Sequence, residues 1–151
     1  MLKDRLKEIQ KLRNKLCLIP VNGVTKDIIY TFNNTYNINS INIGFELSKV
    51  LKNEDLGKNL PIIAVESFRK IIEGSTSVYL DQETIMVYNL GILLEDDLNL
   101  NLESILLEIS KNIVVILLWE GEISKQGLHF LSIKHGKLLE LTEKHYLQLE
   151  I

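Results

Sequence analysis

Apolar and polar positions alternate along this chain in blocks that change period, and those blocks predict its elements. Residues 2–16 carry Leu2, Leu6, Ile9, Leu12 and Leu16 at spacings of three and four, with Lys, Arg and Glu between them. That is the stripe of an amphipathic helix, here basic and spanning about residues 1–14. The apolar run LCLIP predicts a buried strand that Pro20 ends, because proline cannot donate to a ladder. A helix is expected from about Val24 to Phe32, stopped by the turn-rich NNTYN. INSINIG alternates as an edge strand, FELSKVLK reads as a two-turn helix, and IIAVESFRKIIEG as a longer helix closed by Gly74. TSVYLDQ is expected to be a strand ending in an acid, and ETIMVYNLGILL a short helix or loop. After an acidic loop, LESILLEISK predicts a helix and NIVVILLWEG the most apolar strand, buried on both faces. GLHFLSIKHG is expected as a last strand and KLLELTEKHYLQLEI as a surface segment.

Strands alternating with helices imply βαβ units with right-handed crossovers. The expected architecture is therefore one α/β domain over residues 1–151, with about five mostly parallel strands and helices on both faces. At 151 residues the chain suits a single core. No apolar run approaches the roughly 18 residues of a bilayer span. The charged first 15 residues do not read as a signal peptide. The single Cys17 excludes an internal disulfide, so a cytoplasmic location is expected.

The net charge of −3 conceals an asymmetry. Residues 1–26 hold seven basic side chains against two acidic ones, and residues 91–122 seven acidic against one basic. Such ends suit contacts with other proteins or with further copies of the chain. Direct nucleic-acid binding is not expected, because the basic helix lacks interleaved aromatics.

The chemistry centres on Lys15 to Ile28, KLCLIPVNGVTKDI, a strand, a loop and a helix start. A phosphate loop needs GxxxxGK[ST], since glycines let backbone N–H groups cradle phosphate oxygens. With Lys26 on the motif lysine, Pro20 and Thr25 fall on the two glycines and Asp27 on the Ser/Thr. Three of the four specified positions depart from the motif. Lys26 and Asp27 remain the candidate nucleotide-binding residues. Asp81, ending an apolar run, is the candidate metal-side carboxylate, and Glu83 the candidate base if the chain is an ATPase. Glu95, Asp96 and Asp97, with Trp119, Glu120 and Glu122 beyond the apolar strand, form a candidate partner surface, Trp119 being equally readable as core. His129, His135 and His145 lack the spacing of a metal site, and Ser67 and Ser110 lack a nucleophile-elbow context.

Taken in order, several of these landmarks resemble the BrxF family, small P-loop-containing proteins of type 3 BREX phage-resistance systems. The resemblance covers roughly Lys15 to His135. It runs through INIGFELSKVL, LPIIAVESFRKII, VYLDQETIMV, LESILLEISKN, VVILLWEGE and GLHFLSIKHG. It implies a three-layer P-loop-NTPase-like fold, ATP and Mg²⁺ as ligands, and other proteins of the defence system as partners. Only Lys26 and Asp81 match that family's functional positions, and the loop glycines are missing. The expectation is a non-catalytic assembly or regulatory subunit of a BREX-type anti-phage system. The alternatives are a weak ATPase completed by an oligomer or partner, and a nucleic-acid-proximal adaptor.

Overall fold

A computed structural model describes residues 2–21, 25–52, 59–130 and 136–150. The main sheet holds six strands. Five run parallel: β1 (Leu16–Pro20), β2 (Ser40–Asn42), β4 (Gln82–Tyr88), β5 (Val114–Trp119) and β9 (Leu147–Gln148), in the order β2-β4-β5-β1-β9. The sixth, β3 (Ser77–Tyr79), pairs antiparallel with the first half of β4. β5 is buried at every position, as a continuous apolar run inside a parallel sheet must be.

The sheet separates two apolar layers. On one face lie α1 (Leu2–Gln10) and α2 (Thr25–Asn34), packing Leu6, Ile9 and Phe32 against Cys17, Ile19, Ile116 and Leu118. On the other lie α3 (Ile43–Lys52), α4 (Leu60–Glu73) and α5 (Leu102–Ile109). They pack Leu47, Phe68 and Leu106 against Leu16, Leu18, Val87 and Leu117. Successive side chains of a strand point to opposite faces, so both layers draw on the same strands through alternate residues. The outcome is a three-layer α/β domain. Asn side chains start two of the helices: Asn42 Oδ1 accepts from the Phe45 N–H (3.0 Å) and Asn101 Oδ1 from the Ser104 N–H (3.1 Å).

Five expectations are corrected, wholly or in part. ETIMVYNLGILL is a short helix only at its end, the 3₁₀ helix Gly91–Leu94: Gln82–Tyr88 before it is a central strand with Thr84 to Val87 fully buried. TSVYLDQ is a strand only at Ser77–Tyr79 and does not run on to the acid. The chain turns at Leu80 and Asp81, both with positive φ (51° and 65°), and Asp81 precedes the central strand. GLHFLSIKHG is a strand at Gly127–Phe130, with Leu131 to His135 outside the described residues, but it is not the last strand and not part of the main sheet. β7 (Gly127–Phe130) instead pairs antiparallel with β6 (Ile123–Ser124) and β8 (Lys137–Leu139) in a small second sheet. The C-terminal segment is not surface: Leu139, Leu141, Tyr146 and Leu149 are buried, and β9 completes the parallel sheet beside β1. The N-terminal helix also stops at Gln10, leaving Leu12 45% exposed in the turn before β1.

Candidate functional site

Strand order locates the ligand-binding edge of such a sheet. β1 sends its connection back over β5 and β4 to β2, whereas β5 sends its own the other way, past β1 to β9. Adjacent strands whose connections diverge open a crevice at their carboxyl ends. Here that crevice lies beyond Pro20 and Trp119, which are in register, with the Val21 N–H closing onto the Trp119 carbonyl at 2.9 Å. Lys26 and Asp27 stand exposed on the first turn of α2, above this edge. Asn22 to Val24, the middle of the phosphate-loop-like turn, lie outside the described residues.

At this edge β4 and β5 end in an amide and an indole, Asn89 and Trp119. Asn89 follows β4 with a positive φ of 58°, and its Nδ2 donates to Asn42 Oδ1 at 2.8 Å. Its carbonyl accepts from the Gly44 N–H at 2.9 Å. A side chain at Gly44 would meet Asn89 Nδ2 at 2.5 Å, so glycine is what lets the ends of β2 and β4 close together. Trp119 is 4% exposed and is not part of a surface: its indole N–H donates to the His129 carbonyl at 3.2 Å, tying the main sheet to the small one. Gly121 passes so close that a Cβ there would overlap the same carbonyl. The core alternative is therefore the one realised for Trp119. Glu120 and Glu122 are exposed beyond it.

The proposed phosphate and metal residues do not converge. Register puts Asn89 level with Pro20 and Trp119, and Asp81 lies eight residues earlier on the same chain direction. At about 3.3 Å per residue, Asp81 is roughly 26 Å from that edge along the strands. Glu83 shares the far end, accepting a hydrogen bond from Thr76 Oγ1 at 3.1 Å. The constellation Lys26–Asp81–Glu83 is thus divided between opposite ends of the sheet, because the chain enters β4 directly from the Asp81 turn. Among the described residues, no group of three or more His, Cys, Asp and Glu side chains could hold a metal ion.

Glu95, Asp96 and Asp97 are exposed together after the 3₁₀ turn, and Asp96 pairs with Lys137 of β8. Glu103 of α5 accepts from the Glu140 N–H at 2.8 Å, so the acidic segment is clamped to the small sheet. No described helix is long and apolar enough to cross a membrane.

The structure also gathers residues that sequence reading passed over. Beside the small sheet, an open pocket of about 860 Å³ is lined by Ser124 and Lys125 from one side and by Thr142, Lys144, His145 and Tyr146 from the other. Ser124 Oγ shares a hydrogen bond of 2.7 Å with Nε2 of the buried His129. Nothing in the linear spacing announces this pairing of a hairpin with a turn some 20 residues later. The long-range fold alone brings them together. Comparison with protein-family models, curated proteins and solved structures gave no match to this chain.

Proposed function

We propose that the chain is a non-catalytic assembly or regulatory subunit of a BREX-type anti-phage defence system, using a P-loop-like α/β scaffold as a protein-docking platform. The ordered sequence landmarks suggest the system. The lining of the crevice suggests the absence of nucleotide turnover. At the carboxyl ends of β2, β4 and β5, where a triphosphate's metal would need a carboxylate, stand Asn42 and Asn89 bonded to each other and a sealed Trp119. That arrangement is the observation that carries the reading. A domain released from nucleotide chemistry keeps its rigid sheet and charged rims for binding partners. The rims are the segment Glu95 to Asp97 and the lysines of α1, Lys3 and Lys7, all exposed.

The test has two arms. In the first, the melting temperature is measured with Mg²⁺–ATP and Mg²⁺–GTP. A ligand at 100 times its Kd adds about 2.7 kcal/mol, so millimolar nucleotide would reveal even weak binding. No shift that depends on Lys26 is expected, and a shift abolished by Lys26→Ala would replace this reading with an ATPase. In the second arm, phage defence is scored in cells. Lys26→Ala should retain it. Glu95→Lys with Asp97→Lys, which spares the Asp96–Lys137 pair, should lose it at an unchanged melting temperature.

A further inference from the structure

We propose that the pocket between the β6–β7 hairpin and the Thr142–Tyr146 turn binds the phosphate group of a small phosphorylated molecule. Its volume of about 860 Å³ is in the range of small-molecule sites. Two ammonium groups, Lys125 and Lys144, stand at its exposed rim against one carboxylate, Glu143, leaving the rim cationic.

Other lining groups are fixed in place by the fold. The backbone N–H of Thr142 donates to His145 Nδ1 at 3.0 Å, and the His145 N–H returns to the Thr142 carbonyl at 2.8 Å. A nitrogen that accepts a backbone N–H carries no proton of its own, so the neutral ring bears its N–H on Nε2. His145 therefore contributes a donor whose tautomer is set by the turn. Ser124 is held at the opposite wall, its Oγ accepting from the Gln126 N–H (3.2 Å) and bonded to His129 Nε2. Tyr146 also lines the pocket, its phenol pushed up from its ordinary value by burial and then by Glu143. Imidazole and ammonium donors around one cavity suit an oxygen-rich dianion, because charge-assisted bonds to phosphate are the stronger ones. Ile123, 38% exposed at the pocket wall, offers an apolar surface for the rest of the molecule.

The site is independent of the crevice beyond β1 and β5, and its ligand needs no metal. The test is calorimetric titration of the purified chain with AMP, with inorganic phosphate and with sulfate, at fixed ionic strength without Mg²⁺. AMP should bind, and the Lys125→Ala, Lys144→Ala double variant, altered only at exposed positions, should weaken it about tenfold or more. Inorganic phosphate binding as tightly as AMP would identify free phosphate as the ligand source, and tighter AMP binding a phosphomonoester. The proposal is overturned by an absence of binding, by binding the double variant retains, or by sulfate binding equal to both phosphates, which would show a response to charge alone. Binding lost in Lys26→Ala rather than in the double variant would place the ligand at α2 and overturn it too.

Discussion

The indole of Trp119 shows what one side chain decides. It is the chain's single tryptophan, buried at the end of β5, and its N–H satisfies the carbonyl of His129 in the second sheet. Removing it leaves both a cavity and an unpaired buried carbonyl. Trp119→Ala is expected to cost about 3–5 kcal/mol. Trp119→Phe, which keeps most of the ring volume, should cost about 1–2 kcal/mol through the lost hydrogen bond. Urea unfolding of the two variants checks this, and a Trp119→Ala protein as stable as its parent would contradict the core role. The fluorescence of this one tryptophan should be blue-shifted and poorly quenched by iodide until the protein unfolds. The sequence left core and partner anchor open for Trp119 because an apolar strand followed by Glu120-Gly121-Glu122 is compatible with both. Burial depends on β7, which no local pattern connects to it.

At the scale of elements, the β3–β4 hairpin explains the largest misreading of the chain. Its two turn residues, Leu80 and Asp81, both have positive φ, the geometry of a type I′ turn that normally favours Asn-Gly. A leucine there gives no turn signal, so VYLDQ reads as one uninterrupted strand ending in an acid. β4 is then hidden, since Gln82 and Glu83 make its start look polar although Thr84 to Val87 are fully buried. The strain is measurable. Leu80→Asn with Asp81→Gly should stabilise the protein by about 1 kcal/mol, read from the urea midpoint, because a non-glycine residue in this region costs on that order. On the proposed docking reading, and since Asp81 lies at the far end of the sheet, the same double variant should leave defence in cells unchanged. Loss of defence with a raised melting temperature would return Asp81 to the functional site. Elements with strong period and clear ends, α4, α5 and β5, were legible from sequence within a few residues.

Across the whole molecule, the sheet keeps two cores apart, and Cys17 reports on the one beneath α1 and α2. Burial pushes its thiol up to about 12 from the usual 9.0, against a smaller opposing effect of Arg5. Below pH 9 the thiol is protonated in both folded and unfolded chains and adds no pH dependence. Between pH 9 and 12 the unfolded chain gives up a proton that the fold retains, so stability falls as pH rises. The slope from this group approaches about 1.4 kcal/mol per pH unit. Tyr79 and Tyr146, also raised chiefly by burial, act in the same direction. Urea midpoints at pH 7, 9 and 10 should decline for the parent and decline less for Cys17→Ala. A thiol reagent should label Cys17 only as fast as the α1–α2 layer opens, and rapid labelling of the native chain would contradict the burial of this core.

The sequence by itself determined the alternation of helix and strand, the doubly buried β5, the basic amphipathic α1 and the departures from a phosphate-loop motif, because each is a local pattern of spacing or residue type. Tertiary structure decided what spacing cannot carry. It set the order β2-β4-β5-β1-β9 and recruited Leu147–Gln148 as its last parallel strand. It divided Lys26 from Asp81 and joined Asn42 to Asn89, residues 47 apart in the chain. It also faced Ser124 and Lys125 towards Lys144 and His145 across one pocket. The physical reason is common to these cases: local patterns fix how a segment satisfies its own backbone, whereas sites are made where segments distant in sequence bury their apolar faces against a shared sheet.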